Sequence, residues 1–364
     1  MKPLQSLSAE GTSIWLDDLS RERLHIDSPT SLANLIATHS VVGVTTNPSI
    51  FQQAITQSDL YASAIAQHRG KSPEEAITAL TSEDVQNACD ILQPQFVASG
   101  GRDGRVSIEV DPRLAHDTQG TVVQAHELWN SINRPNLMIK VPATVAGLPA
   151  ITTLIAAGLS VNVTLIFSAK RYADVLNAYI TGLQQRLGRG ESISHIHSVA
   201  SFFISRVDSA VDPLLEAIGT SEALALRGTT AIANAKIAYE IFQSTIDSPT
   251  WVDLARQGAH PQRPLWASTG VKNPSFDKNR YVVELVAPHT VNTMPEATLL
   301  SVAETGEPRG NTISGTLREA HAQLNALSKL GIDLTAILAE LERDGVAKFE
   351  ASWNELISVV AAQL

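Results

Sequence analysis

The sequence predicts an α/β protein folded as a single (β/α)8 TIM barrel, with additional helices in the connections and at the C-terminus. Three observations carry that expectation. Short β-branched runs alternate with longer amphipathic stretches along the chain; about eight such runs occur; and no Gly-x-Gly-x-x-Gly turn follows the first of them. Alternation of this kind implies parallel strands joined by crossover helices, and eight such units in 364 residues fit a closed barrel better than an open doubly wound sheet.

In chain order the strand candidates are residues 13–19, 41–46, 106–111, 137–141, 161–167, 196–203, 265–269 and 281–286. Amphipathic stretches at 121–132, 148–157, 169–187 and 207–218 supply crossover helices. The segments 48–93 and 206–259 each hold two or more helical patterns, which reads as extra helices around one barrel. Residues 313–364 read as helices punctuated by Gly331 and Gly345. With no internal repeat and no low-complexity linker, residues 1–364 are expected to form one domain.

Composition narrows the class of function. Lys and Arg total 27 against 37 for Asp and Glu, and the formal charge of −10 argues against a general nucleic-acid or anionic-membrane partner. Phosphate recognition, if present, must be local. The lone cysteine, Cys89, has no intramolecular disulfide partner; it falls among Val85, Ala88 and Leu92 in a helical pattern that suits a buried, inert thiol. The N-terminal residues lack the apolar core of a secretory signal, and the apolar stretches 151–159 and 161–167 are too short to span a bilayer, so a cytoplasmic enzyme is expected.

Strand parity indicates where the chemistry lies. Barrel strands send alternate side chains to the helices and into the lumen. In 106–111 the apolar residues share one parity while Ser107, Glu109 and Asp111 share the other; in 161–165 Asn162 and Thr164 oppose Val161, Val163 and Leu165. Thr45 and Asn47 share a face of the second strand, and Asp17, beside Asp18, ends the first. Lys140 stands opposite Leu137, Ile139 and Val141, the only lysine enclosed by an apolar run. Each has an ordinary reading: a snorkelling lysine, turn chemistry at Asn47-Pro48, a helix cap at Asp17 or Asp18. Jointly they place an amine, carboxylates, amides and hydroxyls at the C-terminal mouth of a barrel, where active sites form. Burial favours the neutral amine, the form that attacks a carbonyl, so the set suits Schiff-base aldol chemistry with neither metal nor organic cofactor.

Five motifs in strand order then resemble the transaldolase family, of the longer bacterial type, over essentially the whole chain. They are Trp15-Leu16-Asp17-Asp18-Leu19, Gly43-Val44-Thr45-Thr46-Asn47-Pro48-Ser49, Val106-Ser107-Ile108-Glu109-Val110-Asp111-Pro112, Met138-Ile139-Lys140-Val141-Pro142-Ala143-Thr144 and Val161-Asn162-Val163-Thr164-Leu165-Ile166-Phe167-Ser168. The resemblance implies an imine-forming lysine on the fourth strand, Lys140, and a first-strand acid/base, best matched by Asp17 with Asp18 one residue away. It implies that Glu109 and Thr164 hold a water that relays protons to the lysine. Thr45, Asn47, Asn162 and Ser201 match positions that bind the dihydroxyacetone moiety, and Phe203 a position that influences the fate of the carbanionic intermediate. Arg206, Ser268 and Lys272 match phosphate contacts, although shorter transaldolases carry an arginine soon after the serine. A lysine offers phosphate a point charge in place of a bidentate fork.

The implied activity moves a dihydroxyacetone unit from sedoheptulose 7-phosphate to glyceraldehyde 3-phosphate, giving erythrose 4-phosphate and fructose 6-phosphate, in a monomer or homodimer. Competing readings are a fructose 6-phosphate aldolase that releases dihydroxyacetone, and a non-catalytic sugar-phosphate-binding barrel. Two further features are set aside. His195 and His197 are too few for a metal site, and the glycine-rich turn 99–104 precedes a strand, where a phosphate cradle would open a helix. Asn162-Val163-Thr164 matches a glycosylation pattern but lies inside an apolar strand.

Overall fold

A computed structural model describes residues 2–364. Eight parallel strands close into a barrel in sequence order: β1 (Thr12–Leu16), β2 (Val41–Thr45), β3 (Arg105–Glu109), β4 (Leu137–Pro142), β5 (Val161–Ile166), β6 (Ser198–Phe203), β7 (Arg263–Ala267) and β8 (Thr290–Met294). β1 and β8 seal the ring, Thr12 pairing with Thr290 and Leu16 with Met294. The predicted crossover helices are present as Thr118–Ile132, Gly147–Ala157, Ala169–Gly188 and Ser205–Ile218. Extra helices occupy the connections expected to hold them, among them Pro73–Ala98 after β2 and Thr230–Ile246 after β6. Ser72 and Glu75 form a reciprocal capping box at the start of the first, with Pro73 leading the helix.

The core is the interface between barrel and helices. The outward residues of β4, Leu137, Ile139 and Val141, are all fully buried. The lumen is filled as well. Trp15 is wholly enclosed, and its indole occupies the space a side chain on Gly43 would need: a Cβ there would come within 2.4 Å of Trp15 Cε2. Glycine at 43 is therefore a packing requirement.

Two expectations fail. Residues 281–286 are not a strand: Arg280–Val283 forms a helical turn, and β8 begins beyond Pro288 and His289. Tyr281, Val282 and Val283 are consecutive apolar residues without alternation, and their β-branched character misleads. The true strand, Thr290-Val291-Asn292-Thr293-Met294, is disguised by polar residues on both faces: Thr293 meets Thr45, and outward Asn292 donates to the Tyr281 carbonyl at 3.2 Å. Nor does Gly345 punctuate a helix. It lies within a 28-residue helix, Leu334–Ala361, where a Cβ would come within 2.9 Å of Leu165 Cδ2. Gly331, by contrast, does separate two helices, at φ 80. Cys89 is buried in Pro73–Ala98, and burial pushes its thiol well above the ordinary value.

Candidate active site

The registers of β3, β4 and β5 bring Glu109 opposite Lys140 and Lys140 opposite Asn162, so the parity read from sequence becomes a row across three adjacent strands. Lys140 is 4% exposed. Its Nζ donates to the Thr46 carbonyl at 2.9 Å and stands 3.3 Å from Glu109 Oε2. That second contact is an ion pair whose donor is not well directed, and both Glu109 oxygens are left without a hydrogen-bond partner in the protein. Thr164 Oγ1 is buried and unpartnered in the same way. Such orphaned groups are costly unless a water or substrate serves them.

A cavity of about 160 Å³ opens above the amine, lined by Asp17, Thr45, Asn47, Lys140, Ser201 and Arg206 among others. Thr45 Oγ1 donates to Asp17 Oδ1 at 2.6 Å and contacts Thr293 Oγ1 at 2.7 Å. Ser201 Oγ donates to Asn162 Oδ1 at 2.7 Å, while Asn162 Nδ2 donates to Ser107 Oγ at 3.0 Å; both ends of that amide are fixed, and it is wholly buried. Asn47 has two roles, since its side chain caps helix Pro48–Gln57 through Ile50 N at 3.0 Å and also lines the cavity.

The two neighbouring aspartates meet different partners. Asp17 faces the cavity, whereas Asp18 lies 2.8 Å from Arg23 Nε, and Arg23 also grips both Glu296 oxygens at 2.7 Å. Burial pushes the Asp17 carboxyl up, against the charge of Lys140 and the hydrogen bond from Thr45. Burial likewise raises Glu109, to about 7, against the pull of Lys140. Desolvation dominates at both positions.

The expected phosphate contacts gather at one side of the cavity. Arg206 lies with its guanidinium 5.0 Å from the Phe203 ring centroid, and its buried Nη1 has no partner. Ser268, at φ 55, bonds Ser205 Oγ at 3.0 Å, and Lys272 is an exposed lysine at the rim. All twelve expected residues thus belong to the lumen and its mouth, Glu109, Asn162 and Thr164 forming the deeper layer.

Sequence reasoning missed Thr293 and Pro295, which follow from the misplaced eighth strand, and Phe349. Gly345, Phe349 and Trp353 stand at i, i+4 and i+8 on one face of helix Leu334–Ala361. The missing side chain at 345 lets the helix settle on Leu165, Phe349 then reaches over the mouth, and Trp353 enters the crevice that holds Glu109. The Phe349 ring is 3% exposed, with its centroid 5.8 Å from Lys140 Nζ. That ring covers the amine from above and offers a π face to a cation on the lysine nitrogen. The spacing of the three residues was the available signal, masked by a glycine that looked like a helix breaker.

His195 and His197 lie away from this site. His197 belongs to the end of the barrel where the strands begin, stacked on His260 at 4.0 Å. Among the described residues, no group of three or more His, Cys, Asp or Glu side chains is arranged to hold a metal ion, and no helix is long and apolar enough to cross a membrane.

Comparison with known proteins agrees in one direction. Residues 14–360 match the model of the transaldolase/fructose-6-phosphate aldolase family. A transaldolase of Mycobacterium tuberculosis (strain H37Rv) is 54% identical over 364 residues, spanning 99% of this chain and 97% of its own. Transaldolases of Mycolicibacterium smegmatis and Mycobacterium marinum are also 54% identical, with the same coverage.

Proposed function

Since the chain belongs to the transaldolase/fructose-6-phosphate aldolase family, we propose that it acts as a transaldolase with Lys140 as the imine-forming residue. The observation that carries the proposal is the setting of Lys140, the only buried lysine among the described residues, held by Thr46 and Glu109 beneath a cavity edged by Asp17 and Arg206.

Lys140 Nζ attacks the ketone of sedoheptulose 7-phosphate, and the carbinolamine loses water to give the iminium. Glu109, with its raised carboxyl, donates the proton that the departing hydroxyl needs, through a water shared with Thr164; their unpartnered oxygens support that role. Asp17 removes the proton from the C4 hydroxyl as the C3–C4 bond breaks, and the bonding electrons enter the iminium as an enamine. Erythrose 4-phosphate leaves. The enamine then attacks the aldehyde of glyceraldehyde 3-phosphate, Asp17 returns its proton to the new alkoxide, and hydrolysis of the imine releases fructose 6-phosphate. Asn162 and Ser201 orient the three-carbon unit, while Arg206, assisted by Ser268 and Lys272, holds the phosphate. No metal or organic cofactor enters these steps. The buried lone cysteine and acidic composition suit a cytoplasmic enzyme.

Borohydride reduction in the presence of fructose 6-phosphate, followed by peptide mass analysis, tests the assignment. A three-carbon adduct on Lys140 is expected. Lys140→Arg should give neither adduct nor turnover, a loss of roughly 10⁴-fold or more, with an unchanged circular dichroism spectrum, because arginine keeps its proton. An adduct on another lysine defeats the mechanism, and dihydroxyacetone release as the main flux would make the enzyme an aldolase.

A further inference from the structure

Below the catalytic layer, where the strands begin, lies a second cavity of about 230 Å³, with Arg102, His197, His260, Arg263 and His289 in its wall. It unites two sequence features that catalysis leaves unused: Arg102 comes from the glycine-rich turn 99–104, and His197 from the histidine pair that precedes β6.

Charge is unbalanced there. Arg263 donates to Asp103 Oδ1 at 2.9 Å and to Ser13 Oγ at 2.8 Å, and Arg102 Nε reaches Asp103 Oδ2 at 3.3 Å. Nearby Arg105, 1% exposed, meets only neutral groups: the Gly101 carbonyl at 2.7 Å, the Pro135 carbonyl at 3.2 Å, Ser160 Oγ at 3.4 Å and the face of Phe96. One carboxylate, Asp103, thus serves two guanidinium groups and a third stands nearby with no acidic contact, in a chain whose overall charge is −10. Of the three, Arg102 and Arg263 belong to the wall while Arg105 lies behind it, so the wall carries one positive charge in excess, on the exposed Arg102, and Arg105 adds a buried cation close by.

Donors are also left free. Arg102 uses only Nε, and its side chain is 60% exposed. The imidazoles of His197 and His289 make no hydrogen bond to any described residue; His289 is exposed, whereas His197 is buried and stacked on His260 with 13° between the ring planes. His289 is held at φ 61, a conformation that costs energy in a residue with a side chain. Gly101, at φ 86, brings the turn against this wall: a Cβ there would lie 3.3 Å from His197 Nε2 and 3.5 Å from Arg105 Nη2. Burial, then the charge of Arg105, pushes His197 down to about 2, so its ring is neutral and keeps one N–H to donate.

We propose that this cavity binds a small phosphate-bearing anion, inorganic phosphate or a short phosphate monoester, with Arg102 and Arg263 supplying charge and His197 and His289 supplying imidazole donors. A phosphate monoester is close to a dianion at neutral pH and brings three acceptor oxygens, which suit the several donors of this wall, and the positive field of Arg102 with Arg105 behind it, better than a monocarboxylate does. At ~30 Å³ per water-sized group, the five heavy atoms of phosphate take roughly two thirds of the space, leaving the rest to an ester carbon chain. The site is separate from the catalytic cavity and stands whether or not Lys140 forms an imine.

Histidine-selective NMR on the full chain tests it, using Arg206→Ala to weaken phosphate binding at the catalytic cavity. Inorganic phosphate and glycerol phosphate, titrated at constant ionic strength, should shift the His197 and His289 ring resonances saturably, with Kd of about 0.1–10 mM. Adding Arg102→Ala, which removes one long contact with Asp103 from a side chain 60% exposed and keeps the carbonyl that accepts from Arg263, should weaken binding about tenfold. Saturation by glycerol phosphate at lower concentration identifies an ester site, and equal response to both identifies a phosphate site. Absence of saturable shifts, shifts reproduced by sodium chloride, or binding indifferent to Arg102→Ala overturns the proposal.

Discussion

The two ends of the same eight strands handle a buried carboxylate beside a buried cation in opposite ways. At the mouth, Asp17 receives one hydrogen bond, from Thr45, and Glu109 receives none, so burial prevails and both carboxyls are raised despite Lys140. At the other end burial also pushes Asp103 up, yet the charge of Arg263 opposes it, Arg263, Ser13 and Arg102 all donate to it, and its carboxyl is held below the ordinary range. The difference lies in a close guanidinium charge together with directed donors, which Asp103 has and the carboxylates at the mouth lack. An under-solvated carboxylate suits the proton-transfer role proposed for Asp17 and Glu109; a fully solvated one suits a structural tie.

The same substitution at each end offers the sharpest way to break that contrast. Asp17→Asn should lower kcat by roughly 10²–10⁴-fold while leaving the melting temperature unchanged or higher, because the folded state already disfavours its charge. Asp103→Asn should cost about 3–5 kcal/mol in urea unfolding, by stranding Arg263, with kcat per folded molecule within about twofold. If the effects exchange places, the division of labour is wrong.

A pH series sharpens it further. Glu109 is raised from 4.5 to about 7, so the stability it contributes is complete below the lower value and lost as pH rises through the upper one. Asp103, lowered from 3.8, contributes stability that is present above that value and lost as pH falls through its depressed folded value. Between pH 5 and 8 the wild type should therefore lose on the order of 1–3 kcal/mol relative to Glu109→Gln, with Asp103 contributing no slope in that window. Thermal unfolding of the two proteins across this range is the check, and parallel curves would show that the mouth is no drier than the opposite end. The smallest effect is expected at Phe349→Leu, which thins the cover over the amine. Free dihydroxyacetone per transfer event should rise about threefold to tenfold, a change of ~1 kcal/mol. An unchanged ratio would assign the cover to other residues.

What sequence revealed depended on strand parity. Glu109, Lys140, Asn162 and Thr164 were legible because each is a polar residue alternating with apolar ones in a strand with an apolar outer face. β8 escaped since Asn292 faces outward and takes its partner from Tyr281, a contact between segments that no local pattern displays. Asp17 and Asp18 were inseparable as neighbours, and only Arg23 and Glu296 draw the second one aside. Gly345 was misread for a related reason: mid-helix glycine is a breaker by propensity, and the contact with Leu165 that requires it lies far away in the chain. Backbone periodicity encodes which way a residue faces; it does not encode which distant element arrives to meet it.

The placement of Phe349 bears on synthesis. Lys140 and its strand neighbours are translated well before the helix that covers them, and at about 5–20 residues per second the interval is roughly 10–40 s. During that interval the barrel also lacks β8, so the ring is unsealed and Thr45 has no Thr293 beside it. The nascent chain therefore carries the amine proposed to form the imine before it carries the helix that covers it, and competence for transfer should arise late, in one step, as helix Leu334–Ala361 docks.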